Sequence, residues 1–307
     1  MRKILFVLLL LGFLSPLKAQ ETYLFANRDT CDLYLDIFRP ADGAPTTFQG
    51  RQKPVILHVF GGGFVKGERN DSFVRPWADI LNKDGYTVVT VDYRLGMKGY
   101  KLGRGLSGLM KAAKRFELSQ ELGKEDVFAA IRFLADNPQL GVPVDNLVLA
   151  GSSAGAIITL ASAFALANGK ADGLPEGFTL KGAMSFAGAI ISNSGSPQFK
   201  TAPCPVLLMH GTADGAVVYN KLAFFGKGIW GSSYLVRQFK RKGYDNYCIY
   251  RFKDRSHDVA AYQQVLWPLE KQFLEENVIL GHKRTVDALV DDDSLPSWGN
   301  ISLKDIY

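Results

Sequence analysis

Residues 147–155 read Leu-Val-Leu-Ala-Gly-Ser-Ser-Ala-Gly, an apolar run typical of a buried strand that continues directly into the pattern Gly-x-Ser-x-Gly. Small apolar residues follow, and they predict a helix over residues 154–167. A serine on such a strand-to-helix turn is exposed above the sheet, as a nucleophile must be. The central Ser153 is therefore the predicted nucleophile, and Ser152, at the variable position, is the alternative.

Strands and helices alternate on both sides of this turn. Strands are predicted at 22–27, 33–38, 55–60, 87–92, 146–150, 182–187, 206–209 and 247–252, and helices at 73–82, 124–135, 154–167, 234–242 and 260–276. Such alternation predicts an α/β fold with a doubly wound, mostly parallel sheet. We expect one catalytic domain over residues 20–280, followed by a polar tail over residues 281–307.

Two stretches are longer than simple connections require. Residues 96–118 are basic and rich in glycine, and residues 217–233 contain a cluster of aromatic side chains. Long insertions at strand ends often shape a binding site in folds of this kind. A helix packed on the core is an equally good interpretation of the aromatic cluster.

A serine hydroxyl needs a base at neutral pH, and the chain offers four histidines. His58 lies within a predicted strand, His210 at a strand end, and His282 in the polar tail. His257 lies in a short loop between the last predicted strand and the last helix, which places it at the same sheet edge as the serine. His257 is therefore the predicted base.

An acidic residue is needed to orient the base and to stabilise its charged form. Asp214 follows the predicted strand 206–209 and precedes His257 by 43 residues, which gives the chain order serine, aspartate, histidine. Asp254 and Asp258 are alternatives close to the histidine, but near neighbours in sequence rarely orient its ring well. Asp214 is the predicted orienting acid.

Three consecutive glycines, at residues 61–63, follow the predicted strand 55–60. Glycine allows a backbone to approach closely and to direct N–H groups at one point. Together with the N–H of Ala154, this loop is the predicted oxyanion hole. Taken alone, three glycines would indicate only a flexible turn.

These motifs together resemble one known family. They are Gly61-Gly62-Gly63-Phe64, Val91-Asp92-Tyr93-Arg94-Leu95, Gly151-Ser152-Ser153-Ala154-Gly155, His210-Gly211-Thr212-Ala213-Asp214 and Ser256-His257. The chain resembles serine carboxylesterases of the α/β-hydrolase fold, close to bacterial esterase- and lipase-like enzymes, from about residue 54 to 276. The combined motifs are specific for fold and triad, and uninformative about the substrate.

The resemblance implies that Gly62 and Gly63 supply oxyanion donors. Two departures from the family pattern stand out. Many relatives have histidine before the glycines, where this chain has Phe60, although an aromatic residue occurs there in the cholinesterase-like branch. The family's Asp-Tyr-Arg-Leu is often followed by Ala-Pro, whereas Gly96-Met97 follows here.

Composition excludes several classes of protein. The chain has 307 residues, of which 47% are hydrophobic and 21% are charged, so wholesale disorder is excluded. The net charge is +6, and three of the basic residues, Arg2, Lys3 and Lys18, lie in the first 19 residues, which leaves about +3 for the rest. This bias is too weak to argue for nucleic acid or an anionic membrane as partner.

Residues 1–19 have the pattern of a signal peptide. Arg2 and Lys3 precede the apolar run 4–14, and Ala19 marks the expected cleavage site. As a helix the run would span only ~16 Å, about half of a bilayer core. We expect export to the periplasm or the exterior, with an uncleaved anchor or a buried first helix as the alternatives.

Three cysteines remain after the predicted leader, Cys31, Cys204 and Cys248. An odd and sparse set is not a disulfide scaffold, although one bridge with one free thiol is possible. No Cys/His spacing suggests zinc, and neither a metal nor an organic cofactor is expected.

The predicted function is that of an exported serine esterase for small or carbohydrate-linked esters. Ser153 would form the acyl-enzyme, His257 would act as base and Asp214 would orient it. We expect a small-molecule partner, no nucleic acid and no stable membrane insertion after leader cleavage. The alternatives are a serine peptidase of the same fold and a catalytically silent, hydrolase-like binding module.

Overall fold

Strands and helices account for most of the residues described by the computed structural model, 20–297 and 299. The strands are β1 (Glu21–Arg28), β2 (Cys31–Phe38), β3 (Thr47–Phe48), β4 (Arg51–Gln52), β5 (Val55–Val59), β6 (Val88–Val91), β7 (Leu147–Ser152), β8 (Gly182–Phe186), β9 (Ala189–Ser192), β10 (Val206–Gly211), β11 (Lys221–Phe224), β12 (Lys227–Gly231), β13 (Tyr247–Phe252) and β14 (Thr285–Val290). The α-helices are α1 (Val74–Lys83), α2 (Gly105–Asp136), α3 (Ala154–Ala167), α4 (Ser232–Lys242) and α5 (Trp267–Phe273). Short 3-10 turns lie at Pro138–Leu140, Val144–Asn146 and His257–Ala261, and a π-helical turn lies at Leu274–Ile279.

One large sheet has the strand order β1-β2-β6-β5-β7-β8-β10-β13-β14. All neighbouring strands from β6 to β14 are parallel, whereas β2 is antiparallel to both β1 and β6. Parallel neighbours require crossover connections, and helices supply them everywhere except between β8 and β10, where the connection contains β9. The predicted α/β fold with a mostly parallel sheet is confirmed.

Alternate residues of β7 show that the sheet is covered on both faces. Leu147 and Leu149 belong to a core cluster with residues of α2 and α3. Val148 and Ala150 point the other way and belong to a cluster with residues of α1 and α5. Because both faces are buried, the strand is apolar throughout rather than alternating, which is why a continuous apolar run predicted it.

The basic insertion over residues 96–118 is largely helical. Helix α2 begins at Gly105 and runs for 32 residues, so the predicted helix 124–135 is only its C-terminal part. Gly108 obscured the helix in the sequence, but its role is close packing. A Cβ atom there would lie 2.2 Å from the carbonyl carbon of Gly103.

The aromatic stretch over residues 217–233 forms a hairpin, and the alternative of a helix is wrong. Strands β11 and β12 pair antiparallel, and β12 pairs with β9 to complete a three-stranded sheet. Trp230 is buried, whereas Phe224 and Phe225 are exposed. The turn between the two strands has positive φ at Phe225 (48°) and Gly226 (73°).

The C-terminal region differs from the prediction in two respects. Residues 285–290, expected in a polar tail, form β14 and extend the sheet parallel to β13. The strand alternates exposed and half-buried positions, so its apolar residues are too few to stand out. The predicted helix 260–276 begins only at Trp267.

The predicted signal peptide, residues 1–19, lies outside the described residues. Among the helices that are described, none combines the length and apolarity needed to span a bilayer.

His58, one of the candidate bases, is a core residue of β5. Its side chain is 1% exposed and packs beside Trp77, with ring centroids 5.0 Å apart. Burial lowers the pKa of His58 from 6.5 to about 3, and the Gln263 amide 3.0 Å from Nε2 offsets only part of this effect. The imidazole is therefore neutral in the folded protein at any pH well above 3.

We predict that His58 makes the protein sensitive to acid. The unfolded chain takes up this proton near pH 6.5 and the folded chain only near pH 3, so stability is complete above 6.5 and falls as the pH drops between these values. In denaturant titrations, wild type should lose about 3 kcal/mol more than His58→Gln between pH 7 and pH 4. The exposed His282→Gln should behave like wild type. Equal pH slopes for wild type and His58→Gln would contradict this account.

Candidate active site

Ser153 occupies the turn between β7 and α3 in a strained conformation. Its backbone has φ 51° and ψ −116°, a region that non-glycine residues rarely adopt. Its N–H donates a hydrogen bond of 2.8 Å to the carbonyl oxygen of Phe186 in β8. Strain of this kind persists only where the surrounding structure enforces it. The turn therefore holds the serine at the carboxyl edge of the sheet.

The two glycines of the motif allow the turn to close. A Cβ atom at Gly151 would lie 2.4 Å from the carbonyl oxygen of Gly155. A Cβ atom at Gly155 would lie 2.0 Å from the carbonyl oxygen of Val59 on the adjacent β5. No side chain fits at either position, so both glycines are required by close backbone approach.

Ser153, His257 and Asp214 form one hydrogen-bonded chain. Nε2 of His257 lies 2.8 Å from Oγ of Ser153, and Nδ1 lies 2.7 Å from Oδ2 of Asp214. The serine follows β7, the aspartate follows β10, and the histidine opens the 3-10 turn after β13. These strands are parallel, so their carboxyl ends meet at one edge. All three residues are nearly buried, with 6–8% of each exposed.

The Asp214 carboxylate is held by donors on both of its oxygens. Oδ1 accepts backbone N–H groups from Ala216 (2.9 Å) and Val217 (2.8 Å). Burial alone would raise the pKa of Asp214, but hydrogen bonds from His210 and His257 outweigh it and hold the pKa well below its usual value. The carboxylate therefore stays ionised at neutral pH and can stabilise a positive charge on His257.

His210 is a supporting residue that the sequence pattern did not identify as such. It is fully buried, and its Nε2 lies 2.9 Å from the carbonyl oxygen of Val217 and 3.3 Å from Oδ2 of Asp214. Its Nδ1 lies 2.9 Å from Oγ of Ser232. A carbonyl oxygen only accepts, so Nε2 carries the proton. His210 thus braces the aspartate loop, although only its strand-end position was visible in the sequence.

The other sequence candidates lie apart from this hydrogen-bonded chain. Ser152 is the last residue of β7, one position before the turn. Asp254 is exposed, and Asp258 follows the histidine within the same 3-10 turn. His282 is exposed, with Nδ1 3.0 Å from Oε2 of Glu276. The structure therefore brings together Ser153, Asp214 and His257.

Tyr93 fixes the position of the glycine loop. The sequence alone assigned no role to this residue. Its hydroxyl donates to the carbonyl oxygens of Phe60 (3.2 Å) and Gly61 (3.1 Å). Its ring stacks on that of Phe60 with centroids 4.4 Å apart. Phe60 is 2% exposed, so the aromatic residue that replaces the more usual histidine packs beneath the loop.

Gly62 and Gly63 both have positive φ angles, and close packing requires glycine at Gly62. Their φ angles are 99° and 65°, and a Cβ at Gly62 would lie 1.9 Å from the carbonyl oxygen of Lys66. Gly63 lines a small pocket together with Ser153 and Ala154. Two of the three predicted oxyanion residues therefore border the space beside the serine, and Gly62 directly precedes Gly63.

The pocket beside Ser153 is small and apolar. Its volume is about 40 Å³, and its walls are formed by Gly63, Phe64, Phe116, Ser153, Ala154, Ile157, Ile191, Ala216, Val217 and Ile229. Helix α2, strand β9 and the hairpin strand β12 each contribute one bulky side chain. Both long insertions therefore contribute side chains to the pocket wall. This agrees with the interpretation that long insertions at strand ends shape a binding site.

The three cysteines take no part in the site. Each has a free thiol, and they are exposed (Cys31), half-buried (Cys204) and buried (Cys248). Burial raises the pKa of the Cys204 thiol to about 12, which leaves it unreactive at neutral pH. Across residues 20–297, the structure shows no group of three metal-ligating side chains that could hold an ion.

Comparison with known proteins gives one family match and several relatives. The sequence model of the carboxylesterase family matches residues 15–201. Mouse neuroligin-2 is 28% identical over 169 residues, which are 49% of this chain and 18% of that protein. Chlorogenic acid esterase from Aspergillus niger is 27% identical over 178 residues, 57% of this chain and 30% of that protein. The chain thus matches less than a third of the length of these relatives.

Solved structures show the same fold over a larger share of the chain. Esterase 2 of Thermogutta terrifontis, solved with propionate bound, aligns with a TM-score of 0.57 at 21% identity. The alignment covers 85% of this chain and 95% of that one. The predicted α/β-hydrolase fold is thereby confirmed.

The geometry predicts which serine reacts with a phosphonylating reagent. A fluorophosphonate probe should label the wild-type chain at Ser153, because its hydroxyl lies 2.8 Å from Nε2 of His257. Ser153→Ala should abolish labelling and Ser152→Ala should retain it, both measured by intact-protein mass. The reverse pattern would assign the nucleophile to Ser152.

Proposed function

The chain belongs to the carboxylesterase family, and on that premise we propose that it is a carboxylic ester hydrolase with Ser153 as its nucleophile. The observation that supports this most is the continuous hydrogen-bonded chain from Ser153 through His257 to Asp214. This arrangement supports the proposal because acyl transfer needs a nucleophile, a base and an orienting acid in contact in this order.

The reaction begins with proton transfer within this chain of residues. As Oγ of Ser153 attacks the ester carbonyl, Nε2 of His257 accepts its proton, and the ionised Asp214 stabilises the imidazolium. His257 then donates this proton to the departing alcohol and leaves an acyl group on Ser153. A water molecule, deprotonated by the same nitrogen, attacks the acyl-enzyme. As the acid leaves, His257 returns this proton to Oγ of Ser153.

Backbone N–H groups of Gly62, Gly63 and Ala154 stabilise the tetrahedral oxyanion in this proposal. Gly63 and Ala154 line the pocket beside the nucleophile, and Ala154 is the first residue of α3. The N-terminus of a helix favours negative charge, so α3 adds to the same effect. The fixed position of the loop above Tyr93 supports this role.

The pocket favours a short acyl group. A volume of about 40 Å³ leaves room for only a few non-hydrogen atoms, and Phe116, Ile191 and Ile229 close it with apolar side chains. The related fold from Thermogutta terrifontis has been solved with propionate, an acid of this size. We assign small esters to this site, including esters in which a short acyl group is attached to a sugar.

The hydrogen-bonded triad argues against a silent binding module. Binding alone gives no reason for a strained serine to lie 2.8 Å from a histidine that is itself held by a buried carboxylate. The choice of substrate distinguishes an esterase from the alternative, a serine peptidase of the same fold. A peptide p-nitroanilide should not be turned over when p-nitrophenyl acetate is.

The test of the proposal is turnover of p-nitrophenyl esters of increasing acyl length. Wild type should hydrolyse the acetate best, and Ser153→Ala should lose at least ~10³-fold in kcat. Ile191→Ala should enlarge the pocket and shift the preference to longer acyl groups by about tenfold or more in relative kcat/KM. Unchanged turnover in folded Ser153→Ala would refute the mechanism, and an unchanged acyl preference in Ile191→Ala would refute the acyl assignment.

We also propose export from the cytoplasm, on the strength of the charged start and the short apolar run in residues 1–19. Protein isolated from its native host should begin at or near Gln20, as measured by N-terminal mass spectrometry. A chain that retains Met1 in a membrane fraction would contradict cleavage.

A further inference from the structure

Exposed apolar side chains are concentrated in two short segments of the protein. Twelve large hydrophobic residues are strongly exposed among those described, and eight of them lie within residues 102–118 and 222–225. The eight are Leu102, Leu106, Leu109, Met110, Leu118, Leu222, Phe224 and Phe225. Scattered single residues of this kind need no explanation, but a concentration indicates an interaction surface.

The first segment is the N-terminal half of α2. Leu106, Leu109 and Met110 follow the spacing i, i+3, i+4 and so share one face of the helix. They are 64%, 65% and 49% exposed. The buried positions of this half, Gly108 and Ala112, lie on the opposite face. The helix thus presents an apolar stripe to solvent.

The second segment is the tip of the β11–β12 hairpin. Phe224 and Phe225 contact each other with ring centroids 4.4 Å apart, and they are 67% and 90% exposed. Leu222, on the same exposed strand, is 63% exposed. Phe225 has φ 48°, so the turn holds a bulky aromatic ring outward at a backbone cost.

The two segments flank the same opening. Phe116 of α2 and Ile229 of β12 line the pocket beside Ser153. Asn193 connects the segments, because its side chain donates to the carbonyl oxygen of Ala113 in α2. Gly195, two residues further on, lies beside the hairpin tip, because a Cβ atom at Gly226 would come 3.7 Å from its Cα. The stripe and the tip therefore belong to two elements that both border the pocket. We call them together the apolar rim.

The two stretches of chain that carry the apolar rim contain charged side chains of only one sign. Residues 96–116 contain six basic residues and no acidic residue, and residues 218–231 contain two basic residues and no acidic residue. Seven of these are exposed: Lys98, Lys101, Arg104, Lys111, Lys114, Lys221 and Lys227. Glu117, the nearest acid along α2, is engaged by Asn193. The weak net charge of the whole chain hides this local excess.

We propose that the apolar rim docks the protein on an anionic lipid surface. Exposed leucine and phenylalanine side chains enter the boundary of the bilayer, and the surrounding lysine and arginine side chains contact the anionic headgroups. The pocket mouth then faces the lipid. On the proposed function, the substrate class is a short-acyl ester carried by a lipid or presented at its surface.

Binding is measured by sedimentation of the mature chain with vesicles of phosphatidylcholine, with and without phosphatidylglycerol. We expect binding to the anionic vesicles, much weaker binding to pure phosphatidylcholine, and release by salt. Phe224→Ser/Phe225→Ser and Leu106→Ser/Leu109→Ser should each lower the partition coefficient by tenfold or more. Lys111→Gln/Lys114→Gln should weaken binding mainly at low salt.

Matched controls replace exposed apolar residues elsewhere. Phe73→Ser and Leu289→Ser, at positions 55% and 62% exposed, should bind as wild type does. All variants should retain turnover of dissolved p-nitrophenyl acetate, which shows that they are folded. Lipid binding with no ester turnover would contradict the proposed function but not the docking surface.

Two results would overturn the docking proposal. One is absence of wild-type sedimentation with anionic vesicles at low salt. The other is a wild-type dimer in solution that the rim variants convert to monomer, since the rim would then cover a second copy of the chain.

Discussion

The backbone contact between α3 and β5 constrains the positions of Ser153 and of the glycine loop. Gly155 lies so close to the end of β5 that a Cβ atom would come within 2.0 Å of Val59 O and 2.5 Å of Phe60 O. The glycine loop begins at this same strand end. Helix α3, Ser153 and the glycine loop are therefore fixed relative to one another by packed backbone rather than by flexible side chains. Pre-organised geometry of this kind is what electrostatic stabilisation of a transition state requires.

Polar groups around this contact are buried but well partnered. Asp214 is ionised inside the protein because two backbone N–H groups and two histidines surround its carboxylate. His210 extends the network to Ser232 at the start of α4. A buried charge with fewer partners would be costly, so the network stabilises the loop as well as the charge. The site and the folding of the loop after β10 depend on the same hydrogen bonds.

Local patterns in the sequence were sufficient for most strands of the large sheet, although not for β14, and for the three residues that meet at its edge. The turn at Ser153 could be predicted because strand, glycines and helix are adjacent in the chain. The three-stranded sheet could not, because β12 pairs with β9, which lies 35 or more residues earlier. The start of α2 was hidden by glycines that serve packing rather than flexibility. The support from His210 and Tyr93 depends on contacts between distant segments, and no local pattern reports those.

The large sheet, as far as it is described, ends at β1 and β14, and each end carries a feature that limits further strand pairing. Strand β1 has an irregular register between Leu24 and Ala26, which disrupts its regular hydrogen-bonding edge. Strand β14 places Asp287 at its centre, paired with Arg251 and Lys240. Adding another strand beside it would bring foreign backbone against these charges. Both edges of the nine-stranded sheet thus disfavour pairing with a strand of another molecule, which protects the protein from edge-to-edge aggregation at high concentration.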